Sequence, residues 1–427
     1  MPLEALRCKE CGTDYPLDSR FVCEQCFGPL EAAYDFSGIE PEEVRRRIQA
    51  GSQGIWRYAD FLPFDERPRD PLEPGLTPLI RADRLAEQLG VGEIWIKNDG
   101  ANPTHSFKDR VVAVALAKAR ELGFDTVACA STGNLANAVA AHAAAAGLNS
   151  YVFVPNDLEE QKLLATGVYG TNLVGVRGNY DDVNRLCTQL AEERDWAFVN
   201  VNLRPYYAEG SKTLAFETVE QLGWQLPDHI VCPIASGSLF TKTGRGFQEW
   251  IDVGLVDGEL PAFHGAQPTG CAPVANAFAA GHDVCQPVKP DTIAKSLAIG
   301  TPADGPYALD LARQTGGSID SVTDDEIRAG IHLLAETTGI FTESAGGVTT
   351  AVLSTLAERG DIGRDDSVVV FITGEGLKTL DATRDRFHMH DIDPTIESFE
   401  SVLEPGRPAD QEQPLTGGSA AGSVNGR

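Results

Sequence analysis

From about Thr77 onward, short apolar runs alternate with longer amphipathic stretches. The runs Glu93–Lys97, Thr126–Ala130, Tyr151–Val154, Leu173–Val176 and Ala197–Val201 are β-branched and continuous, which predicts buried strands. Helical periodicity between them predicts helices over Lys108–Leu122, Leu135–Ala146, Tyr180–Arg194 and Glu209–Leu222. A second series follows, with strands expected at His229–Ile234, Ala262–Gln267 and Ser367–Thr373. Helices are expected at Phe240–Val253, Asp324–Thr338 and Ala345–Arg359. Continuous apolar strands separated by amphipathic helices belong to mostly parallel sheets covered on both faces. The fold class is therefore α/β, with two domains and a cleft between them.

The flanks read differently. Residues 35–76 look like a connector, broken by Pro63, Pro68, Pro71 and Pro74. Residues 403–427 are rich in Gly, Ser, Pro and Ala, which predicts a disordered tail. No apolar run approaches a membrane span, and Met1 to Glu10 lacks the core of a signal peptide, so a cytoplasmic location is expected.

The charge changes the picture. Asp plus Glu number 62 against 35 Lys plus Arg, a formal charge of −27. Such a surface repels nucleic-acid backbones and anionic membranes. The acidic residues are spread along the chain, as expected of a halophilic protein whose self-repulsion is screened by a salt-rich cytoplasm.

Four of nine cysteines, Cys8, Cys11, Cys23 and Cys26, form two Cys-x-x-Cys pairs near the N-terminus. Each pair can offer two thiolates from one turn, so the array fits a tetrahedral structural zinc ribbon over residues 1–34. Gly12 and Gly28 follow the pairs and would permit the turns. Cys129 and Cys232 lie in strand-like runs and read as inert core thiols. The run His388-Met389-His390-Asp391 reads as solvated.

The chemistry concentrates at four segments. In Asn102-Pro103-Thr104-His105-Ser106-Phe107-Lys108-Asp109-Arg110, Ser106 is a candidate cap that puts Lys108 in the first turn of a helix. The strand Thr126–Ala130 runs into Ser131-Thr132-Gly133-Asn134 before an alanine-rich helix. His229–Ile234 runs into Ala235-Ser236-Gly237-Ser238-Leu239, again before a helix. Small residues there let backbone N–H groups and a helix N-terminus cradle a phosphate. Lastly, Ser367–Thr373 leads to Gly374-Glu375-Gly376-Leu377-Lys378. No Walker-type phosphate loop is present.

In this order the four segments, over about Thr77 to Thr383, resemble the threonine synthase family. It belongs to the tryptophan-synthase-β-like class of pyridoxal phosphate (PLP) enzymes, fold type II. Tyr206-Tyr207-Ala208-Glu209-Gly210-Ser211-Lys212-Thr213 and the run Asp291 to Gly300 support the likeness. The resemblance implies a large PLP-binding domain of residues 77–103 and 215–390, and a small domain of 104–214. It implies that Lys108 holds PLP as a Schiff base and shuttles protons, while Phe107 packs by the ring. Asn134 would bond the phenolic oxygen, Thr373 the pyridine nitrogen, and the backbone of Ser236, Gly237, Ser238 and Leu239 the PLP phosphate. The implied reaction converts O-phospho-L-homoserine and water to L-threonine and phosphate. Ser131 falls where its substrate-phosphate site begins and Asn200 near another family substrate contact, and a second phosphate calls for cations, with Lys97, Arg204 and Lys212 as candidates. Some prokaryotic members resemble this chain in carrying a Cys-x-x-Cys knuckle, and many are homodimers.

Two positions depart from the family pattern. His105 stands where a small or apolar residue is usual, and reads as a packed loop residue or as a proton relay near Lys108. Leu135 stands where relatives often carry Thr. The rival readings are another fold type II enzyme (threonine dehydratase, cysteate synthase or cysteine synthase-like) and a zinc-ribbon binding protein without catalysis.

Overall fold

A computed structural model describes residues 2–64, 68, 71–131, 133–156, 158, 160–178, 180–383 and 389–403. Ten strands form two sheets in the main body. The six-stranded sheet has the order Ile319–Val322, Ala262–Pro268, His229–Pro233, Ser367–Ile372, Glu93–Asn98, Leu79–Arg81. All its pairings are parallel except the last, where Leu79–Arg81 runs antiparallel at the edge. The second sheet is parallel, in the order Asn172–Val176, Asn149–Pro155, Thr126–Ala130, Ala197–Phe198.

Strand alternation sorts the core. Ile230, Cys232, Val369 and Phe371 face one hydrophobic cluster, centred on stacked Phe216, Trp224 and Trp250. Their neighbours Val231, Val368, Val370 and Ile372 face the other, with Ile94 and Ile96. Successive side chains of a strand point to opposite faces, so continuous apolar runs need helices on both sides. The four-stranded sheet divides likewise, Val127, Cys129, Val152 and Val154 from Ala128, Ala130 and Phe153. Burial pushes the Cys129 and Cys232 thiols well up, so both stay protonated packing groups.

Most expected elements sit within one or two residues of their predicted ends. The exceptions have physical reasons. The expected helix Glu209–Leu222 is two helices, Arg204–Glu209 and Lys212–Gln221, parted at Gly210. A Cβ on Gly210 would lie 2.6 Å from the Arg110 carbonyl oxygen, so the two helices part where two backbones touch. The strand expected over Ala197–Val201 ends at Phe198. Within the stretch read as a connector, Pro41–Gln49 is a helix and Ile55–Phe61 a 3₁₀ segment. Val44, Ile48, Tyr58 and Phe61 from it are fully buried in the main core.

The N-terminal residues form an antiparallel sheet in the order Asp14–Tyr15, Leu3–Cys8, Leu30–Tyr34. Its Leu6, Cys8, Tyr15, Cys23 and Leu30 share a core with Leu203, Tyr206 and Tyr207. Ile396–Leu403 is a helix that ends where the expected tail begins, while 404–427 and His388 lie outside the described residues. Among the described residues no helix is long and apolar enough to cross a membrane.

Candidate active site

Glu93–Asn98, Ser367–Ile372 and His229–Pro233 are adjacent parallel strands, so their C-terminal ends open on one edge of the sheet. From this edge spring the Lys108 segment, the Thr373 loop and the Ser236–Leu239 loop. In open α/β sheets such an edge is where ligands bind.

The first two segments are joined along their backbones. Ser106 pairs with Gly374 in an isolated bridge, and the Phe107 N–H donates to the Thr373 carbonyl at 2.9 Å. The Glu375 N–H donates to the His105 carbonyl at 3.1 Å. His105 is exposed and has φ +63°, a left-handed backbone that a small residue such as glycine adopts more freely. The helix Lys108–Glu121 then starts, but Ser106 does not cap it. The N-cap position is Phe107, without a side-chain bond, and the Ser106 hydroxyl is buried with no partner among the described residues. The acceptor that orders this turn is Asp109, which takes the Thr104 N–H (2.8 Å), the Thr104 hydroxyl (2.9 Å) and His142 Nε2 (3.0 Å).

Lys108 is half-buried. Its Nζ donates to the Tyr207 hydroxyl at 3.0 Å and lies 4.5 Å from the Phe107 ring centre. Tyr207 was not singled out by its sequence; only its place in a family-like stretch drew notice.

Asn134 opens the helix Asn134–Ala146 at the end of Thr126–Ala130. Its Nδ2 donates to Glu343 at 3.0 Å, and its Oδ1 accepts from Lys378 Nζ at 2.8 Å. Both ends of the amide are thereby oriented, leaving one N–H to point elsewhere. Glu343 and Lys378 hold the Asn134 amide, a contact that sequence reasoning missed, although Lys378 lies within the Gly374–Lys378 segment. Burial raises the Glu343 carboxyl, opposed by the Asn134 hydrogen bond and by Lys378 and Lys108. Burial lowers Lys378. A Cβ on Gly374 would lie 2.5 Å from the Glu343 carboxyl, so a side chain there would displace that carboxyl from Asn134. Thr373 is buried beside it. Ser131 is buried and accepts the Gly133 N–H at 3.3 Å, and Thr132 lies outside the described residues.

Gly237 has φ +97° and precedes the helix Ser238–Asp252. Its missing Cβ would sit 2.8 Å from the Asp304 carbonyl oxygen, and the Asp304 N–H donates to Ser236 O at 2.8 Å. Asp304 holds the loop in place, and the first N–H groups of the helix have no partner within the helix itself. A half-buried amine, an amide N–H, a buried hydroxyl and an N–H cradle form a donor set that fits PLP.

The expected second-phosphate groups separate. Lys97 and Lys212 are fully buried and engaged by carboxylates: Lys97 by Glu217 at 2.6 Å, Lys212 by Glu209 at 2.7 Å and Glu249 at 2.9 Å. Charges so engaged serve the buried ion network, which corrects the expectation that these two face a phosphate. Arg204 pairs with Asp304 at 2.8 Å and keeps its guanidinium one-third exposed, at 33%. Asn200 Oδ1 is buried without a partner among the described residues.

The four cysteine sulfurs all lie within 4.8 Å of one another. Cys8 and Cys26 are 3.4 Å apart, Cys11 and Cys23 3.6 Å. A tetrahedral zinc with bonds of about 2.3 Å spaces its sulfurs by about 3.8 Å, so the cluster is compatible with that ion. The two knuckles match: the N–H groups of Gly12 and Phe27 donate to the carbonyls of Cys8 and Cys23, both at 3.0 Å. The left-handed residue of the second knuckle is Phe27 (φ +60°), not the expected Gly28. Gly28 serves close approach instead, since its Cβ would lie 2.7 Å from Glu10.

Residues 71–374 match the family described as pyridoxal-phosphate dependent enzyme. The threonine synthase of Methanocaldococcus jannaschii is 39% identical over 379 residues, 88% of this chain and 93% of that protein. That of Methanosarcina acetivorans is 38% identical, with 87% and 92% covered. Among solved structures, threonine deaminase isoform 2 from Solanum lycopersicum superposes with a TM-score of 0.63 at 19% identity, covering 90% of this chain and 97% of that one. The last likeness shows the fold alone; the family model and the relatives show that this chain belongs to the pyridoxal-phosphate dependent enzymes and, among them, to the threonine synthases.

Proposed function

We propose that this enzyme converts O-phospho-L-homoserine and water to L-threonine and phosphate, with Lys108 as the covalent anchor of PLP. The observation that carries the reading is the convergence of Lys108, Thr373 and the Ser236–Leu239 loop at one sheet edge, with the Asn134 amide clamped nearby. When bound, PLP supplies an electron-withdrawing ring that stabilises negative charge on substrate carbons. The chain's own residues do the rest. The Lys108 ε-amine would anchor the cofactor and, when free of it, would take and return protons at the substrate carbons. Phe107 packs along the ring. Asn134 offers its remaining N–H to the phenolic oxygen, and Thr373 offers a neutral hydroxyl to the ring nitrogen. The N–H groups of Ser236, Gly237, Ser238 and Leu239 receive the cofactor phosphate.

For the departing phosphate we propose Ser131, Asn200 and Arg204. The Asn200 amide oxygen is buried without a partner among the described residues, and the amide turned over would put an N–H donor in its place, which supports its inclusion. Residues 77–103 and 215–390 form the large unit in this reading, and 104–214 the small one, in keeping with which strands share a sheet. Cys8, Cys11, Cys23 and Cys26 hold a structural zinc, and metal analysis of fresh protein giving one zinc per chain is the expected result. A cytoplasmic, halophilic homodimer completes the reading.

The decisive experiment incubates PLP-loaded protein with O-phospho-L-homoserine and identifies the products. Equimolar phosphate and L-threonine are expected. Ammonia released from threonine, without phosphate release from phosphohomoserine, would move the enzyme to the dehydratases.

A further inference from the structure

We propose that Tyr207 is a catalytic residue: its hydroxyl holds the Lys108 ε-amine whenever that nitrogen is free of the cofactor. The proposal rests on the reading of Lys108 as the cofactor's lysine. In any turnover that lysine alternates between two conditions, bonded to the cofactor and free. In the free condition a flexible four-carbon chain must keep its nitrogen beside the substrate carbons, and a fixed hydrogen-bond partner achieves this.

Three features make Tyr207 such a partner. The hydroxyl lies 3.0 Å from Nζ, within reach of the one atom that must move protons. Its ring is 9% exposed, packed in the core that also holds Leu203 and Tyr206, so the phenol does not wander. Its helix, Arg204–Glu209, is pinned from the opposite side. Tyr206 donates to the Asp18 carbonyl at 2.8 Å, and Glu209 accepts from Tyr34 at 2.8 Å and Lys242 at 2.7 Å. Gly210 then brings this helix against the Lys108 helix at a distance no side chain would allow, since its Cβ would fall 2.7 Å from Val111 Cα. The phenol-to-amine spacing is thus set by backbone contact.

Tyr207→Phe keeps the ring and removes the hydroxyl. In the PLP-loaded variant, kcat is expected to fall about ten- to hundredfold, the size of a lost hydrogen bond to a charged group, with KM within about twofold. Recovery of the resting cofactor absorbance after substrate is exhausted, followed by stopped flow, slows by the same factor. A merely structural residue would lower stability or cofactor loading without slowing that recovery. Borohydride reduction and peptide mapping of the same samples separate the two levels of the argument. Label on Lys108 with unchanged kcat and recovery overturns the role of Tyr207 alone; label absent from Lys108 overturns the reading beneath it as well. Should Tyr207→Phe fail to load PLP, Gly210→Ala keeps the phenol but displaces it. Slowed recovery in that variant upholds the proposal, and wild-type recovery overturns it.

Discussion

Glu217→Gln tests how the Lys108 segment is held. Two residues beyond Lys108, Arg110 is fully buried, and its guanidinium bonds Asp99 at 2.7 and 2.8 Å and Glu217 at 2.8 Å. Glu217 also takes Lys97 at 2.6 Å and the Leu76 N–H at 2.8 Å. Two positive and two negative side chains balance in a space without water contact. The amide substitution keeps the shape of the side chain and removes one negative charge, leaving an uncompensated buried cation. Breaking a buried pair from one side costs about 3–5 kcal/mol.

The titration of Glu217 gives a second route to the magnitude. Burial alone would raise its carboxyl, but Arg110 and Lys97 pull it from 4.5 to about 2. A folded-state value below the unfolded one means a contribution fully present above about pH 4.5 and lost as pH falls toward 2. At 1.36 kcal/mol per unit, that contribution is on the order of 3 kcal/mol. The low end of the range is favoured, because burial already lowers Lys97, which can shed its proton once position 217 is neutral. With an unfolding entropy of about 2.1 cal/mol/K per residue over a chain of this size, the loss is about 3–4 °C in apparent midpoint. Circular dichroism melts at pH 7 and pH 9.5 should show the gap narrowing at the higher pH, as the variant's Lys97 deprotonates in the folded state. A variant melting within about half a degree of wild type at pH 7 would refute the ion-network account.

Three further outcomes are expected. Gly237→Ala forces a Cβ into the Asp304 backbone at a φ of +97°, so PLP affinity, measured by fluorescence titration, should drop at least about tenfold while the fold persists. His264 is lowered to about 4, first by burial and then by His229, whose Nδ1 lies 3.0 Å away; Asp320 and Asp361 oppose the shift, and Arg359 adds to it. Since the unfolded imidazole takes its proton near pH 6.5, wild type should lose stability as pH falls from there to about 4, and His264→Gln should flatten urea midpoints across that window. With a formal charge of −27, the melting temperature should climb with KCl into the molar range; an unchanged midpoint would remove the halophilic reading.

What could be read in advance follows a physical division. Strands such as Thr126–Ala130 were legible because a sheet covered on both faces demands an unbroken apolar run, a local property of the chain. Lys108 and Asn134 were legible because each lies between a strand end and a helix start in a specific motif. The break at Gly210 was not, since it answers to the backbone of Arg110 across the helix contact. Lys97 and Lys212 read as candidate phosphate partners for the same reason. Nothing within a few residues of the strand residue Lys97 announces Glu217, which arrives on a helix, and a lysine reads as buried only once its carboxylate is known. Trp56, Tyr58 and Phe61 did carry a signal. So dense an aromatic cluster is costly to leave in water, a signal that the nearby prolines mask.

The same division explains why the partners of the reactive groups stayed hidden while the groups themselves did not. Lys108 is recognisable from its neighbours in the chain, but Tyr207, Glu343 and Lys378 act on Lys108 and Asn134 from other elements. Their own sequence surroundings are those of ordinary helix starts and loops. What distinguishes them is direction, which for Tyr207 depends on a six-residue helix held by Asp18, Tyr34 and Lys242 on its far side. Because Asp18 and Tyr34 belong to the N-terminal segment, the Cys-rich sheet and the reactive amine are separated by the width of one short helix. Loosening that sheet should therefore register first at the Tyr207–Lys108 contact, before any strand of the main body is disturbed.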